Sequence, residues 1–212
     1  MKIKLFPFVL VLLVNLTVAK EVFLDSRDST EYPVVKIGKQ HWMAKNLAYL
    51  PEVSLKNVES DTSAMYYIYN GNTEVVATAK QEKAYQSCGA LYNWISAQTA
   101  CPEGWRLPND ADWNELIAFG GDSIGYKLKS KDDGRGGDLF GFNATPSGSY
   151  SQEGFYDGGY KASWWSASAL DDYNGNYYHL SYDSDKFVRY QVSKANGFSV
   201  RCIKTSTKTQ KP

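Results

Sequence analysis

CPEGWRLPNDADWNELI, residues 101–117, is the stretch on which the reading of the fold turns. Gly104 lets the chain turn, and Trp105 and Leu107 place apolar bulk just after it. Pro108 ends the extended segment and leaves Asn109 free to cap a helix, with Asp110 and Asp112 in an acidic first turn. Trp113, Leu116, Ile117 and Phe119 then supply the buried face, and Gly120-Gly121 stops the helix. In this setting Arg106 is expected to hold nearby carbonyls or an acid rather than to meet a ligand. The motif is architectural first.

Upstream, Ala84, Cys88, Leu91, Tyr92, Ile95 and Ala97 recur at helical spacing and predict a helix over 82–98. Before it, Val34, Val35 and Ile37, the turn Gly38-Lys39 and residues 40–43 read as a β-hairpin. Residues 46–78 are irregular apart from a tyrosine-rich strand at 65–69, which stops at Asn70-Gly71. Downstream, 131–137 is a loop, 140–144 a short strand and 148–159 a glycine-rich hairpin or loop. Residues 163–168, 177–182, 187–190 and 198–203 read as strands. Two helices followed by a small antiparallel sheet with long loops make the expected class α+β.

The first twenty residues, MKIKLFPFVLVLLVNLTVAK, have the layout of a secretory signal peptide, with cleavage expected after Ala19. Residues 20–33 would form a polar lead-in, 34–204 the domain and 205–212 a disordered tail. Loss of Lys2 and Lys4 with the signal leaves 21 basic against 23 acidic residues, a balance of −2 that favours neither nucleic acid nor an anionic membrane. No membrane span is expected in the mature chain. Six Trp, sixteen Tyr and nine Phe make the chain 15% aromatic, enough to fill a core and to furnish a half-wet binding surface. Cys88, Cys101 and Cys202 allow either a long Cys101–Cys202 bridge or a local Cys88–Cys101 one, and the residues alone leave both open.

Five blocks carry a resemblance: WMAKNL (42–47), ALYNW (90–94), the stretch 101–117, SWWSAS (163–168) and GFSVRC (197–202). In this order they resemble the Fibrobacter succinogenes major paralogous domain over 34–204, which implies an exported bacterial surface or secreted domain. The W-R-L-P-x-x-x-x-W block is also similar to the formylglycine-generating sulfatase-modifying family, and this likeness implies a C-type-lectin-like fold. In that architecture a cysteine beside the W-R-L-P helix and one on the last strand come together, so the resemblance pairs Cys101 with Cys202. Cys88 departs from the family pattern, standing where a tyrosine commonly precedes the glycine.

Catalysis finds little support in the residues. A cysteine-dependent oxidase needs an activated thiol, and Cys88 falls on the buried face of its expected helix. His41 and His179 lie in or beside aromatic strands, and no short-spaced zinc set exists. No cofactor is required, although Asp171, Asp172, Asn174 and Asn176 around Gly175, with Asp183 and Asp185 beyond, have a composition that would suit Ca²⁺. A turn rich in Asp and Asn is the plainer reading. For ligands, Trp164, Trp165, Tyr156, Tyr160, Tyr173 and Tyr177, with Tyr150, Phe155 and Tyr178 nearby, are the candidate aromatic platform for a glycan. Because strand side chains alternate, one of Trp164 and Trp165 must face inward as core and the other is expected to face solvent, and the sequence does not say which. The expectation is an exported, non-enzymatic domain that binds carbohydrate or protein at the cell surface or outside the cell. An enzyme on the formylglycine-generating scaffold and a structural subunit of a surface assembly are the alternatives.

Overall fold

The structure, a computed structural model, describes residues 21–55, 57–132 and 135–205. The expected signal segment and all of the tail but Thr205 lie outside the described residues. The chain runs β1 (Val22–Asp25), β2 (Thr30–Ile37), β3 (Gln40–Met43), β4 (Tyr66–Tyr67), α1 (Val76–Ala79), α2 (Lys83–Cys88) and β5 (Leu91–Tyr92). It continues through α3 (Trp94–Ala100), β6 (Trp105–Arg106), α4 (Asp110–Gly120) and α5 (Ile124–Leu128). The last part is all strand: β7 (Ser147–Ser151), β8 (Gly154–Gly158), β9 (Lys161–Ala169), β10 (Asn174–Ser181), β11 (Phe187–Ser193) and β12 (Ile203–Lys204).

These strands form four antiparallel sheets, ordered β1-β2-β3-β12-β6, β11-β10-β9, β4-β5 and β7-β8. The expected α+β, C-type-lectin-like order of two helices followed by one small sheet is therefore overturned. The domain is mostly β, with 18% helix, and its largest sheet joins the N-terminal hairpin to the C-terminal strand. Two causes explain the error. Residues 21–31, expected as a polar lead-in outside the domain, already pair as β1 and β2 around a turn in which Asp25 Oδ1 accepts the Arg27 amide at 3.1 Å and Ser29 has φ of 61°. The expected helix over 82–98 is broken at Gly89, where φ is +75° and a side chain would meet the Leu47 carbonyl at 2.6 Å. After the break, Leu91 and Tyr92 run extended and are buried, and Asn93 caps a new helix by accepting from Ser96 N at 3.0 Å. A residue buried on an extended run imitates a helical stripe when only its polarity is read.

The helix after the W-R-L-P motif forms as its sequence predicts. Asn109 and Asp112 make a reciprocal capping box, and Trp113 and Leu116 are buried. Arg106 grips the Asp112 carboxylate with both terminal nitrogens, at 2.6 and 2.7 Å. Phe119 is the exception to the expected buried face: it is exposed, lying against Phe140 and beside the Gly38 turn. Two further strands are corrected. Residues 140–144 contribute only a bridge from Ala144 to Lys129, because Phe142 turns inward against Trp42 and Trp164. The run 198–203 is ladder only at β12, with isolated bridges at Phe198 and Ser199.

At the centre lies a cation that, among the described residues, is held by carbonyls and an amide rather than by an ion pair. Arg201 is fully buried and donates to the carbonyls of Met43 (3.1 Å), Phe142 (2.6 Å) and Asn143 (3.3 Å) and to Asn46 Oδ1 (2.6 Å). Its guanidinium covers the Phe142 ring at 4.4 Å, and burial lowers its pKa to about 9. Asn46 Oδ1 also accepts the Trp164 indole N–H at 2.8 Å, so one amide ties the early loop, strand β9 and the C-terminal segment together. The next residue, Cys202, is bonded to Cys101, the pairing the resemblance implied.

Candidate functional site

Strands β9, β10 and β11 place alternate residues on two faces. Trp164, Tyr178 and Phe187 point inward onto Trp113 of α4. Trp165, Tyr177 and Tyr190 pair side by side across the other face, and His179 follows Tyr177 two residues along. On this outer face the covering thins from β9 to β11. Trp165 is closed over by Phe198 (4.7 Å) and donates its indole N–H to Tyr92 O at 2.6 Å. Tyr177 stacks on Phe198 at 4.4 Å and stays half-buried, while Tyr190 is 49% exposed. His179 stacks on Tyr190 at 4.9 Å, with Tyr177 at 6.0 Å from both, so three rings form one row.

The β7–β8 hairpin stands beside this row. Ser149 pairs with Tyr156, whose hydroxyl lies near Asn196 and Ser149. Burial pushes the Tyr177 hydroxyl up to about 12, with Tyr156, Tyr190 and Asp157 close enough to add to the shift. Burial lowers the pKa of the His179 imidazole, helped by the charge of Lys161. Lys161 and Asp157 form an ion pair at 3.0 Å. The row therefore offers partly wet rings, phenolic hydroxyls, an imidazole that burial keeps from protonating and one paired charge, groups able to stack and to exchange hydrogen bonds.

The remaining candidates disperse. Trp164 and Trp165 are both fully buried, correcting the expectation that one of them faces solvent, because the Phe198 segment covers β9 on the outer side as α4 does on the inner. Tyr150 and Tyr178 are also core, Tyr150 stacked on Tyr67 at 4.0 Å. Tyr160 belongs to another patch, with its hydroxyl on Asp183 and its ring on Tyr182. Tyr173 is 71% exposed at the turn between β9 and β10. Of the six aromatic candidates, only Tyr156 and Tyr177 come near one another.

The oxygen-rich turn does not converge on a cation. Asp171 Oδ1 accepts from the amides of Tyr173 (2.8 Å) and Asn174 (2.7 Å), and the Asn174 side chain donates to the same carboxylate. The carbonyls of Asp171 and Asp172 receive the Lys194 ammonium at 2.8 and 3.0 Å, so a positive charge of the chain's own already sits on them. Asn176 turns inward and donates to Asp110 Oδ2 at 2.8 Å. Asp183 accepts from Tyr160, and Asp185 pairs with Lys129 at 3.0 Å. Cys88 is a free, half-buried thiol whose pKa burial raises, the opposite of what a nucleophilic thiolate requires.

His179 and Tyr190 complete the row and were not among the aromatic candidates. The signal was present in the alternation Tyr177/His179 and Val188/Tyr190, but it becomes a site only once the register of β10 against β11 is known.

The family model of the Fibrobacter succinogenes major domain matches residues 35–204. No curated protein and no solved structure matches the chain.

Proposed function

The chain belongs to the Fibrobacter succinogenes major domain family, and from that premise we propose an exported, non-catalytic domain that binds neutral carbohydrate on the outer aromatic row. The observation that carries the reading is the Tyr177, Tyr190 and His179 row, open on the β11 side and bordered by Tyr156. Sugar rings present apolar C–H faces and a rim of hydroxyls, which partly wet tyrosines and a neutral imidazole complement without charge. Export agrees with the Cys101–Cys202 disulfide, a bond that persists in oxidising surroundings. Among the described residues no helix is long and apolar enough to cross a membrane. The reading uses no cofactor.

Glycan-array screening of the mature chain and its Tyr190→Ala variant tests it. Retention on at least one neutral glycan, weakened about tenfold by the substitution, is expected; a tenfold loss corresponds to about 1.4 kcal/mol. Absence of binding across the array, or binding indifferent to Tyr190→Ala, contradicts it. One observation favours a second reading, capture of a protein strand: β11 is the outermost strand of its sheet. A proline at an outward-facing amide of β11 would abolish that binding and leave glycan stacking in place.

A further inference from the structure

The β7–β8 hairpin has a second face. Tyr156 borders the aromatic row, and Phe155, the residue before it, points the other way, where its ring meets Tyr69 at 5.5 Å and Tyr150 at 5.0 Å. There Phe155 forms one wall of a cleft of about 310 Å³, at the lower end of the size range of small-ligand sites. Val53, Leu55 and Ile68 make the apolar part of its lining, and Thr73 and Glu74 belong to its polar part. Leu55 is 51% exposed, so the apolar part is open to a ligand. The Thr73 hydroxyl oxygen accepts the Val75 amide at 3.1 Å, which leaves its proton to donate elsewhere. Glu74 is exposed, and no hydrogen bond or ion pair among the described residues occupies its carboxylate.

We infer that this cleft is a second carbohydrate subsite, taking the terminal one or two sugar residues of a chain, whereas the open row takes residues within one. The inference rests on the carbohydrate reading of the row and extends it to another surface. An aromatic wall accepts the C–H face of a sugar, and a carboxylate with both oxygens uncommitted accepts two neighbouring hydroxyls. Concavity and size distinguish the two places. The cleft is lined from three segments, 53–55, 67–74 and Phe155, and its volume suits one or two sugar residues, while the row lies along a sheet face.

The test is an NMR titration of the mature chain with the methyl β-glycosides of glucose, galactose, mannose and xylose, read at the backbone amides. The expected result is saturable shifts at residues 53–55 and 71–74 with at least one glycoside. Phe155→Ala should weaken them about tenfold and Tyr190→Ala should leave them unchanged. Because Phe155 also packs on Tyr150, Glu74→Gln serves as the variant that keeps the fold, with an expected loss of about fivefold. Shifts confined to residues 177–190 would overturn the second subsite and leave the row standing. Shifts at the cleft that are indifferent to both Phe155→Ala and Glu74→Gln would overturn it as well. If no glycoside shifts any amide while a polysaccharide still binds the row, the cleft is not a sugar site. If neither surface responds to any carbohydrate, the reading of the row fails with it.

Discussion

The two faces of the β9–β10–β11 sheet are made of the same kinds of residue and have different fates. Inward, Trp164, Tyr178 and Phe187 are buried against Trp113, and the Trp164 indole N–H is held by Asn46. Outward, Trp165 is as buried as Trp164, Tyr177 is half-buried and Tyr190 is open. Residue type does not separate the faces. What separates them is the segment around Phe198, which covers the β9 side of the outer face and stops before β11. The inner face is therefore a stability element, and the uncovered half of the outer face is free to bind.

The sharpest way to break this comparison is to truncate one ring on each face. Trp164→Ala should cost about 3–5 kcal/mol in denaturant unfolding, since it opens a cavity and removes a donor from Asn46. Tyr190→Ala should cost less than about 1 kcal/mol, because it loses one stacking partner at a wet surface. Equal losses would mean that the outer row is core. A smaller effect concerns pH. Burial holds His179 below the ordinary histidine pKa of ~6.5, so the unfolded chain takes up its proton more readily than the folded one. The stability this neutral imidazole permits is present above that pH and declines as pH falls through it. Denaturant unfolding at about pH 7.5 and about pH 5.5 should therefore show a loss on acidification that is smaller in His179→Asn.

How far the sequence could be read follows the range of the forces involved. The capping box at Asn109 and Asp112, the stop at Gly121, the hold of Arg106 on Asp112 and the hairpins at 34–43 and 148–159 are local, and they were legible. The break at Gly89 was not, because it depends on the Leu47 carbonyl, distant in the chain, standing where a side chain at position 89 would have to go. Nor was the burial of both Trp164 and Trp165, which alternation alone forbids for a sheet open on one side but which a second covering layer imposes. The candidate site followed the same rule. Tyr156 and Tyr177 were visible as exposed-type aromatics, while their meeting with His179 and Tyr190 required strand register and the position of the β7–β8 hairpin. The Arg201 centre could not have been anticipated from GFSVRC, since its acceptors are carbonyls at the end of β3 and in the 142–143 loop, far away in the chain.

Hydroxyl-radical footprinting, with and without a polysaccharide that the array selects, tests the division of the two faces most directly. In the free chain Tyr190 and Tyr156 should oxidise readily and Trp164 and Trp165 should not. With the polysaccharide bound, protection should fall on Tyr156, Tyr177, His179 and Tyr190 and leave Tyr173 and Tyr160 reactive. Oxidation of Trp164 or Trp165 in the free chain, or protection at Tyr173 and Tyr160 with the row unchanged, would contradict the account.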